Sequence, residues 1–323
     1  MLRLALLSTA QINDEIIGGA AESELVSIVG AASRDPARAE AYATEHGFER
    51  WWGSYEDLLA DSQVDAVYVA LPNVMHVEWS IRALEAGKHV LCEKPMGRDP
   101  DEVARAFDVA ERAGLVLMEA FMYRHHPQIK RARELLDEGA IGEIRIVRAA
   151  FSSTLAKSDD VRWKPELGGG ALLDVGCYCV SGLRLFAGEP ESVFGEQTLT
   201  PSGVDVRFAG TARFAGGVLG HFACGLDTAP SQGLDAVGSE GSLLLSHPFT
   251  ADVEAIEVRR EETEVERIEI EHANRYRLQL ENFARAVSGE EPPLLGRDDA
   301  VAQARVLDAL LRSAESGAPT SLQ

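Results

Sequence analysis

The sequence predicts an α/β chain in which a doubly wound parallel sheet is followed by an α+β domain with a large, mostly antiparallel open sheet. Three observations carry this prediction. Short β-rich runs alternate with helical stretches over the first 120 or so residues, glycines close several of those helices, and after about Met122 strand-like runs follow one another with little helix between them. A chain of 323 residues has room for two such cores.

The first domain is built from alternating elements, which indicates βαβ units and right-handed crossovers. Gly47, Gly87 and Gly114 stand where C-terminal helix caps are expected. The predicted strands are Leu2–Leu7, Leu25–Ser33, Ala66–Leu71, Lys88–Cys92 and Leu115–Glu119. The predicted helices are Ile12–Ala21, Pro36–His46, Val74–Ala86 and Pro100–Ala113. We place this domain at residues 1–122.

Residues 123–323 are predicted to form the second domain, with the last helix free to pack back on the first. Glycine pairs and clusters at Gly216-Gly217 and Gly238–Gly241 are typical of hairpin turns. The predicted helices are Gln128–Gly139, Gly170–Ala187, Tyr276–Ser288 and Arg297–Ser316. The predicted strands are Glu143–Ser153, Val193–Leu199, Val204–Phe214, Val218–Leu226, Gly233–Val237, Ser242–Leu245, Ile256–Glu261 and Glu264–Glu271. A large open sheet needs one face covered, so we expect a homodimer or homotetramer formed through it.

The net charge of −21 argues against nucleic acid and against an anionic membrane surface as partners. We expect no apolar segment of membrane-spanning length and no leader at the N-terminus. The four cysteines show neither zinc spacing nor a disulfide framework, so free thiols in the cytoplasm and no metal site are expected.

The loop after the first strand is where a dinucleotide fingerprint would lie, and it contains no glycine. Ala10 is nevertheless small enough to let the backbone approach a pyrophosphate, and hydroxyls of Ser8 and Thr9 stand at a helix N-terminus, where the dipole favours phosphate. The loop is therefore compatible with a dinucleotide. Its candidate cofactor-binding residues are Ser8, Thr9, Ala10, Gln11 and Ile12.

The end of the second strand favours NADP over NAD. Ser33 and Arg34 stand where an NAD site usually carries an acid, and Arg38 follows one helical turn later. A guanidinium binds phosphate in bidentate fashion, which suits the 2′-phosphate of NADP. Asp35 precedes a proline and is expected to cap the next helix.

Two further strand ends face the same predicted crevice. Leu71, Pro72 and Asn73 end the run at Ala66–Leu71, with His76 at the start of the next helix. Glu93, Lys94 and Pro95 abruptly end the apolar run at Lys88–Cys92, and ligands of open α/β sheets bind beyond such carboxyl ends. A half-buried lysine there is suited to proton transfer; the alternative is a solvated strand end.

A second constellation is the run from Gly168 to Tyr178. Three glycines opening a helix permit close approach of backbone to a ligand. Asp174 and Tyr178 are spaced i, i+4 and would share one helix face. Tyrosine can act as a general acid or base if a lysine lies nearby; spacing alone equally allows an ordinary polar helix residue and a half-buried aromatic.

The runs Val90–Pro95, Met118–Pro127 and Gly168–Tyr178 together resemble the Gfo/Idh/MocA oxidoreductase family. The similarity extends over essentially the whole chain, with three motifs in the right order. It is greatest to the branch that holds NADP-dependent D-xylose dehydrogenases and dimeric trans-dihydrodiol dehydrogenases, which also has Ser-Thr-Ala in place of the glycines. The resemblance implies a Rossmann domain at 1–122 that binds NADP.

The resemblance also implies roles for individual residues. Lys94 and Tyr178 would be the catalytic pair, and Asp174 would orient substrate. Tyr123, Arg124 and Trp163 would approach substrate, and for Arg124 and Trp163 also the cofactor. Relatives with histidine at the position of Tyr178 are more common, and the order Arg162-Trp163 departs from the commoner Trp-Arg.

The expected activity is reversible hydride transfer between NADP and a carbinol carbon of an aldose or polyol, most simply a sugar 1-dehydrogenase of the D-xylose type. A trans-dihydrodiol dehydrogenase and a keto-sugar reductase are the alternatives within the enzyme class, since all three need the same acid–base pair. A nucleotide-binding sensor without catalysis is the alternative outside it.

Overall fold

The computed structural model describes residues 1–155, 160–251, 253, 255–260 and 265–322. The predicted strand ends at Glu261 and Glu264 lie outside the described residues. The chain divides into two compact units, of which the first comprises Met1–Met122 and Asn274–Val301 and the second Tyr123–Ala273 and Ala302–Gln323.

The first unit contains a parallel sheet of six strands in the order β3-β2-β1-β4-β5-β6. The strands are β1 (Leu2–Leu6), β2 (Val26–Ala32), β3 (Arg50–Trp52), β4 (Ala66–Val69), β5 (His89–Glu93) and β6 (Leu117–Ala120). The connecting helices are α1 (Asn13–Ala21), α2 (Pro36–His46), α3 (Tyr55–Ala60), α4 (His76–Glu85) and α5 (Pro100–Ala113). The predicted doubly wound sheet is confirmed. Its chain order reverses between β1 and β4, which is where nucleotides bind in such sheets.

The sequence-based prediction missed two short elements of the first unit, strand β3 and helix α3. β3 has only three residues, two of them exposed, and α3 has six. Neither is long enough to show a strand or helix period. Gly47 and Gly114 adopt left-handed conformations at the ends of α2 and α5, and Gly87 has φ +79° after α4, as predicted.

Residues 274–301 also belong to this unit, although the sequence had placed them in the second domain. They contain helix α8 (Arg275–Ser288) and the start of α9 (Arg297–Ser316). α8 packs closely on α1, because a Cβ on Gly19 would lie 2.7 Å from the backbone nitrogen of Arg277. Arg297 donates to Asp108 of α5 at 2.7 Å. Neither contact leaves a local sequence signal.

The second unit contains a sheet of nine strands in the order β14-β13-β12-β11-β7-β10-β9-β8-β15, antiparallel except for the β7–β10 pair. The strands are β7 (Ile144–Thr154), β8 (Pro190–Leu199), β9 (Asp205–Phe214), β10 (Leu219–Gly225), β11 (Asp227–Gly238), β12 (Gly241–Leu245), β13 (Ala255–Arg260), β14 (Glu266–Glu269) and β15 (Thr320–Ser321). Helices α6 (Pro127–Asp137) and α7 (Cys177–Ala187) and most of α9 belong to the same unit. The predicted large, mostly antiparallel sheet is confirmed.

Helix α7 packs on β7, β10 and β11 and is almost wholly buried. The segment Pro165–Ala187, which includes it, is apolar and long enough by composition to cross a membrane, contrary to our expectation from the sequence. However, 83% of its most apolar window is buried inside the protein, as in a helix of a folded core. The sheet therefore has one face covered by this helix.

Candidate functional site

The loop between β1 and α1 provides the first part of the predicted cofactor site. α1 begins without a side-chain cap, since Ile12 stands at the N-cap position. Ser8 is buried, and its hydroxyl accepts from the backbone nitrogen of Ala10 at 3.3 Å while keeping its own proton to donate. Thr9, Ala10 and Ile12 are half-buried and Gln11 is exposed. The loop thus offers a hydroxyl and small side chains at an uncapped helix start, which fits a phosphate.

The end of β2 is the cationic part of this site. Arg34 and Arg38 are both exposed, and Arg38 donates to the carbonyl of Thr9 at 3.3 Å, which joins the first loop to α2. Ser33 is buried, and its hydroxyl accepts from the backbone nitrogen of Asp35. Asp35 caps α2 by accepting from Ala37 at 3.0 Å, as predicted. Its carboxylate is therefore committed to the helix, and Arg34 and Arg38 stay candidates for binding a 2′-phosphate.

Tyr55 is part of this region and was not identified from the sequence. It is 6% exposed and hydrogen-bonds the Arg34 side chain. Burial raises the pKa of its hydroxyl, so it stays neutral. It stands at the start of α3, an element whose existence was itself missed.

His76 ties the ends of β4 and β5 together. Its ring nitrogens lie 2.9 Å from the carbonyl oxygen of Pro95 and 2.7 Å from that of Leu71. Burial lowers the pKa of this imidazole, which is 1% exposed. These contacts correct the prediction that His76 contacts the cofactor, because both nitrogens are occupied by the protein. Leu71, Pro72 and Asn73 remain half-buried at the strand end.

Lys94 follows β5 and is half-buried, as expected for a strand-end lysine that serves a site. The preceding Glu93 is held from two sides. The hydroxyl of Tyr68, fully buried in β4, donates to one carboxylate oxygen, and the backbone nitrogen of Lys94 donates to the other at 3.2 Å. Glu93 thereby orders the backbone that carries Lys94. Pro95 is buried.

In the second unit, Gly169 and Gly170 serve internal packing instead of the predicted approach to a ligand. A Cβ on Gly169 would lie 2.5 Å from the carbonyl oxygen of Arg162, and a Cβ on Gly170 would overlap the carboxylate of Asp205. Gly170 has φ +127°, a conformation that other residues rarely adopt. Asp205 accepts from the backbone nitrogen of Leu172 at 2.7 Å. The glycines therefore let a carboxylate and a loop reach the start of the helix.

Asp174 and Tyr178 lie on one continuous helical segment, but it is not a regular α-helix. Residues Leu172–Gly176 form a π-helical turn before α7 begins at Cys177. π turns frequently mark functional sites, and their wider turn changes the relation of the two side chains from the predicted α spacing. The period of the sequence could not reveal this, since an α-helix and a π turn use the same residue types.

Asp174 is fixed by Arg162, whose Nη1 lies 3.5 Å from its carboxylate. Arg162 in turn donates two hydrogen bonds to Asp160, from Nε at 2.9 Å and from Nη2 at 2.8 Å. These two carboxylates raise the pKa of the guanidinium, so it stays charged. Asp174 is half-buried, with 17% of its side chain exposed, so it can orient a polar ligand.

Tyr178 is surrounded by three aromatic rings. Its ring centroid lies 5.3 Å from that of Phe151 in edge-to-face geometry, 5.6 Å from Phe249 and 5.8 Å from Tyr123. Phe151 and Phe249 stack on each other at 5.2 Å. Tyr178 is 6% exposed. Packed rings of this kind fix the phenol in one orientation.

Tyr123 contributes to this packing and is not open to a ligand, which corrects its predicted role. It is fully buried, and its hydroxyl donates to Ser181 at 2.7 Å. Arg124 is half-buried and donates to the same Ser181 oxygen at 3.3 Å. Trp163 ends the short turn Val161–Trp163 and is half-buried. Arg124 and Trp163 thus stay candidates for contact with a ligand.

Tyr68, Tyr55, Asp205 and Phe249 are site residues that sequence reasoning missed. Each acts through a contact far along the chain, such as the 33 residues between Leu172 and Asp205. The one available signal was Gly170, since a glycine before a helix can report a neighbour that excludes a side chain.

The Asp205 carboxyl predicts a pH dependence of stability. It is 6% exposed, and burial raises its pKa from 3.8 to about 6. The folded state then binds more protons than the unfolded state between these values, so stability falls as pH rises through that window, by ~3 kcal/mol. Asp205→Asn should lack this loss. Denaturant unfolding of both proteins at several pH values between about 4 and 7 measures it; parallel curves would contradict the assignment.

The fold and these residues define a class: an oxidoreductase with an NADP-binding parallel sheet and a second unit built on a mostly antiparallel sheet. Comparison with known proteins identifies the family. Residues 9–121 match the model of the oxidoreductase family with a NAD-binding Rossmann fold, and residues 129–244 match the GFO/IDH/MocA C-terminal domain. The chain belongs to the Gfo/Idh/MocA oxidoreductase family.

Three relatives illustrate the similarity. D-xylose 1-dehydrogenase (NADP(+)) 2 of Haloferax volcanii is 39% identical over 99% of this chain and 100% of the relative. Trans-1,2-dihydrobenzene-1,2-diol dehydrogenase of Oryctolagus cuniculus is 35% identical over 71% and 70%. The crystal structure of KijD10, a 3-ketoreductase from Actinomadura kijaniata in complex with NADP and TDP-benzene, matches with a TM-score of 0.91 at 33% identity over 97% of each chain.

Proposed function

We propose that this protein is an NADP-dependent sugar 1-dehydrogenase of the D-xylose type. The observation that carries the proposal is the contact of Asp174 with Arg162 at 3.5 Å, on the same helical segment that carries Tyr178. A carboxylate and an acid–base phenol on one helical segment suit a substrate with several hydroxyls, one to bind and one to react. The full-length similarity to the Haloferax volcanii D-xylose dehydrogenase supports it.

In the oxidative direction, Tyr178 accepts the proton of the reacting hydroxyl, and the positive charge of Lys94 favours the phenolate. Asp174 accepts a hydrogen bond from a second hydroxyl and sets which carbon reacts. NADP would accept the hydride. Ser33, Arg34, Arg38 and the loop Ser8–Ile12 would hold its phosphates.

The test is reduction of NADP by D-xylose, D-glucose, L-arabinose, myo-inositol and a trans-dihydrodiol, followed by NADPH absorbance, with NAD in parallel. Turnover of one aldose with NADP is the expected result. Turnover of the dihydrodiol alone would replace the proposal with a dihydrodiol dehydrogenase. Oxidation of NADPH by a keto sugar without aldose turnover would make it a reductase. Tight NADPH binding without any turnover would indicate a sensor.

We also propose that the protein is a homodimer or homotetramer that associates through the outer face of the nine-stranded sheet. Val147 and Ala149 of β7 are buried, so the alternating Ile146 faces outward. Ile146 pairs in register with Leu219 of β10 and Val237 of β11, giving an apolar row across three strands. Ile146 and Leu219 are 38% and 48% exposed. Such a row is complementary to a second copy of itself.

Light scattering of the purified protein and of Ile146→Glu tests this proposal. The wild type is expected to be a dimer or tetramer, and the charge should dissociate it, since each copy would bury the glutamate. Leu294→Glu is the matched control, because Leu294 is 49% exposed and lies outside this sheet. A monomeric wild type would overturn the proposal. We further propose a cytoplasmic location, which the four buried free thiols support.

A further inference from the structure

We propose that Asp205 is a positioning residue for catalysis: it caps, from a distant strand, the helical segment that carries Asp174 and Tyr178, and so fixes both side chains. Asp205 is the first residue of β9 and stands 33 positions after the helix start that it contacts. Nothing in the local sequence of that helix supplies an equivalent group. The inference rests on the proposed roles of Tyr178 and Asp174.

The start of the helix lacks a cap of its own. The residue at the N-cap position of the π turn, Ala171, makes no side-chain hydrogen bond, and Gly170 before it has no side chain. Backbone N–H groups in the first turn of a helix need a partner. Asp205 accepts from Leu172 at 2.7 Å and also receives a backbone hydrogen bond from Ala171. The negative carboxylate also lies at the positive end of the helix dipole.

Gly170 and Asp205 require one another. A side chain on Gly170 would overlap the Asp205 carboxylate, and the left-handed φ of +127° brings the chain past it. The carboxylate contact at Leu172 is two residues before Asp174 and six before Tyr178. A shift or rotation of this turn therefore moves both side chains together. Displacements of about 1 Å at a catalytic group commonly reduce turnover by ~10²-fold.

The surroundings of Asp205 indicate that its charge positions the helical segment and does not add to the stability of the fold. Burial makes the charged carboxylate unfavourable, so neutralising it is not expected to lower stability at neutral pH. One titratable neighbour of Asp205 is Cys224 of β10, whose thiol stays neutral because burial raises its pKa. The charged carboxylate destabilises the folded protein, yet it lies at the start of the helical segment that carries the proposed catalytic tyrosine. A role in ordering that segment explains why a charged residue stands there.

The experiment compares Asp205→Asn with the wild type and with Asp99→Ala. Asp99 caps α5 in the same manner, by accepting from two backbone nitrogens, but serves no part of the site. Asp205→Asn should lower kcat about tenfold or more, while NADPH affinity stays unchanged and the melting temperature at neutral pH does not fall. Wild-type kcat should fall at acid pH as Asp205 is protonated, and Asp205→Asn should lack that step. Asp99→Ala should lower the melting temperature and leave kcat unchanged.

Hydrogen–deuterium exchange of the segment 168–178 gives a readout independent of activity. Faster exchange in Asp205→Asn and in Gly170→Ala is expected, since both variants weaken the cap. Unchanged exchange together with an unchanged kcat would overturn the inference. If the two variants exchange faster but the wild type turns over no substrate in the panel, the capping role of Asp205 stands and the proposed function is wrong. A lowered kcat in Asp205→Asn with no change in exchange or pH profile would also overturn it.

Discussion

Tyr178→Phe should lower turnover by ~10²–10⁴-fold, the usual contribution of a positioned acid–base group. The phenyl ring keeps its packing against Phe151 and Phe249, so the loss reports the hydroxyl and not the fold. Lys94→Ala should cause a loss of the same order. Steady-state kinetics on the substrate found in the panel, with NADPH binding followed by fluorescence, measures both.

The two controls are chosen by environment. Lys130→Ala removes an exposed lysine of α6, and Tyr42→Phe removes a half-buried hydroxyl of α2; neither should alter turnover. NADPH affinity of Tyr178→Phe should match that of the wild type. Full activity of either Tyr178→Phe or Lys94→Ala would remove that residue from the proposed pair.

Arg34→Ala should raise the KM for NADP by ~10- to 100-fold, because a charge-assisted hydrogen bond to phosphate is worth ~1.5–3 kcal/mol. The KM for NAD should change little, since NAD lacks the 2′-phosphate. Initial rates with each cofactor at saturating substrate measure the ratio. Arg305→Ala, at an exposed arginine of α9, is the matched control. Equal increases in the KM for NADP and the KM for NAD would show that Arg34 does not bind the 2′-phosphate.

Tyr55→Phe gives a graded version of the same test. It removes the hydroxyl that holds Arg34 and keeps the arginine, so a smaller increase in the KM for NADP is expected. No change would mean that Arg34 needs no support.

The fold could be predicted where the sequence shows a clear strand or helix period. Candidate site residues could be predicted only where they adjoin the ends of strands. The alternation before Met122 predicted five of the parallel strands, and Lys94 and Arg34 became candidate site residues because a parallel sheet brings its carboxyl ends together. β3 was not predicted because three residues are too few to show the alternation of a strand. The π turn was lost because residue types do not distinguish it from an α-helix.

Contacts across the fold account for the remaining errors. His76 looks like a ligand-facing residue in sequence, but two backbone carbonyls occupy its ring. Three glycines suggested a ligand, whereas the space beside Gly170 is taken by the carboxylate of Asp205 and that beside Gly169 by the carbonyl oxygen of Arg162. In both cases the partner comes from another element, and no local pattern encodes it.

The first unit is discontinuous along the chain, since Asn274–Val301 completes it after eight of the nine strands of the second sheet have been made. On the ribosome, residues 1–122 therefore emerge long before the helix that packs on α1. The surface around Gly19 stays exposed to solvent and to chaperones until residue 301 has left the exit tunnel. A gene fragment that ends at residue 122 would yield an incomplete nucleotide-binding unit, whereas a fusion of 1–122 to 274–301 through a short linker is the smallest version of that unit.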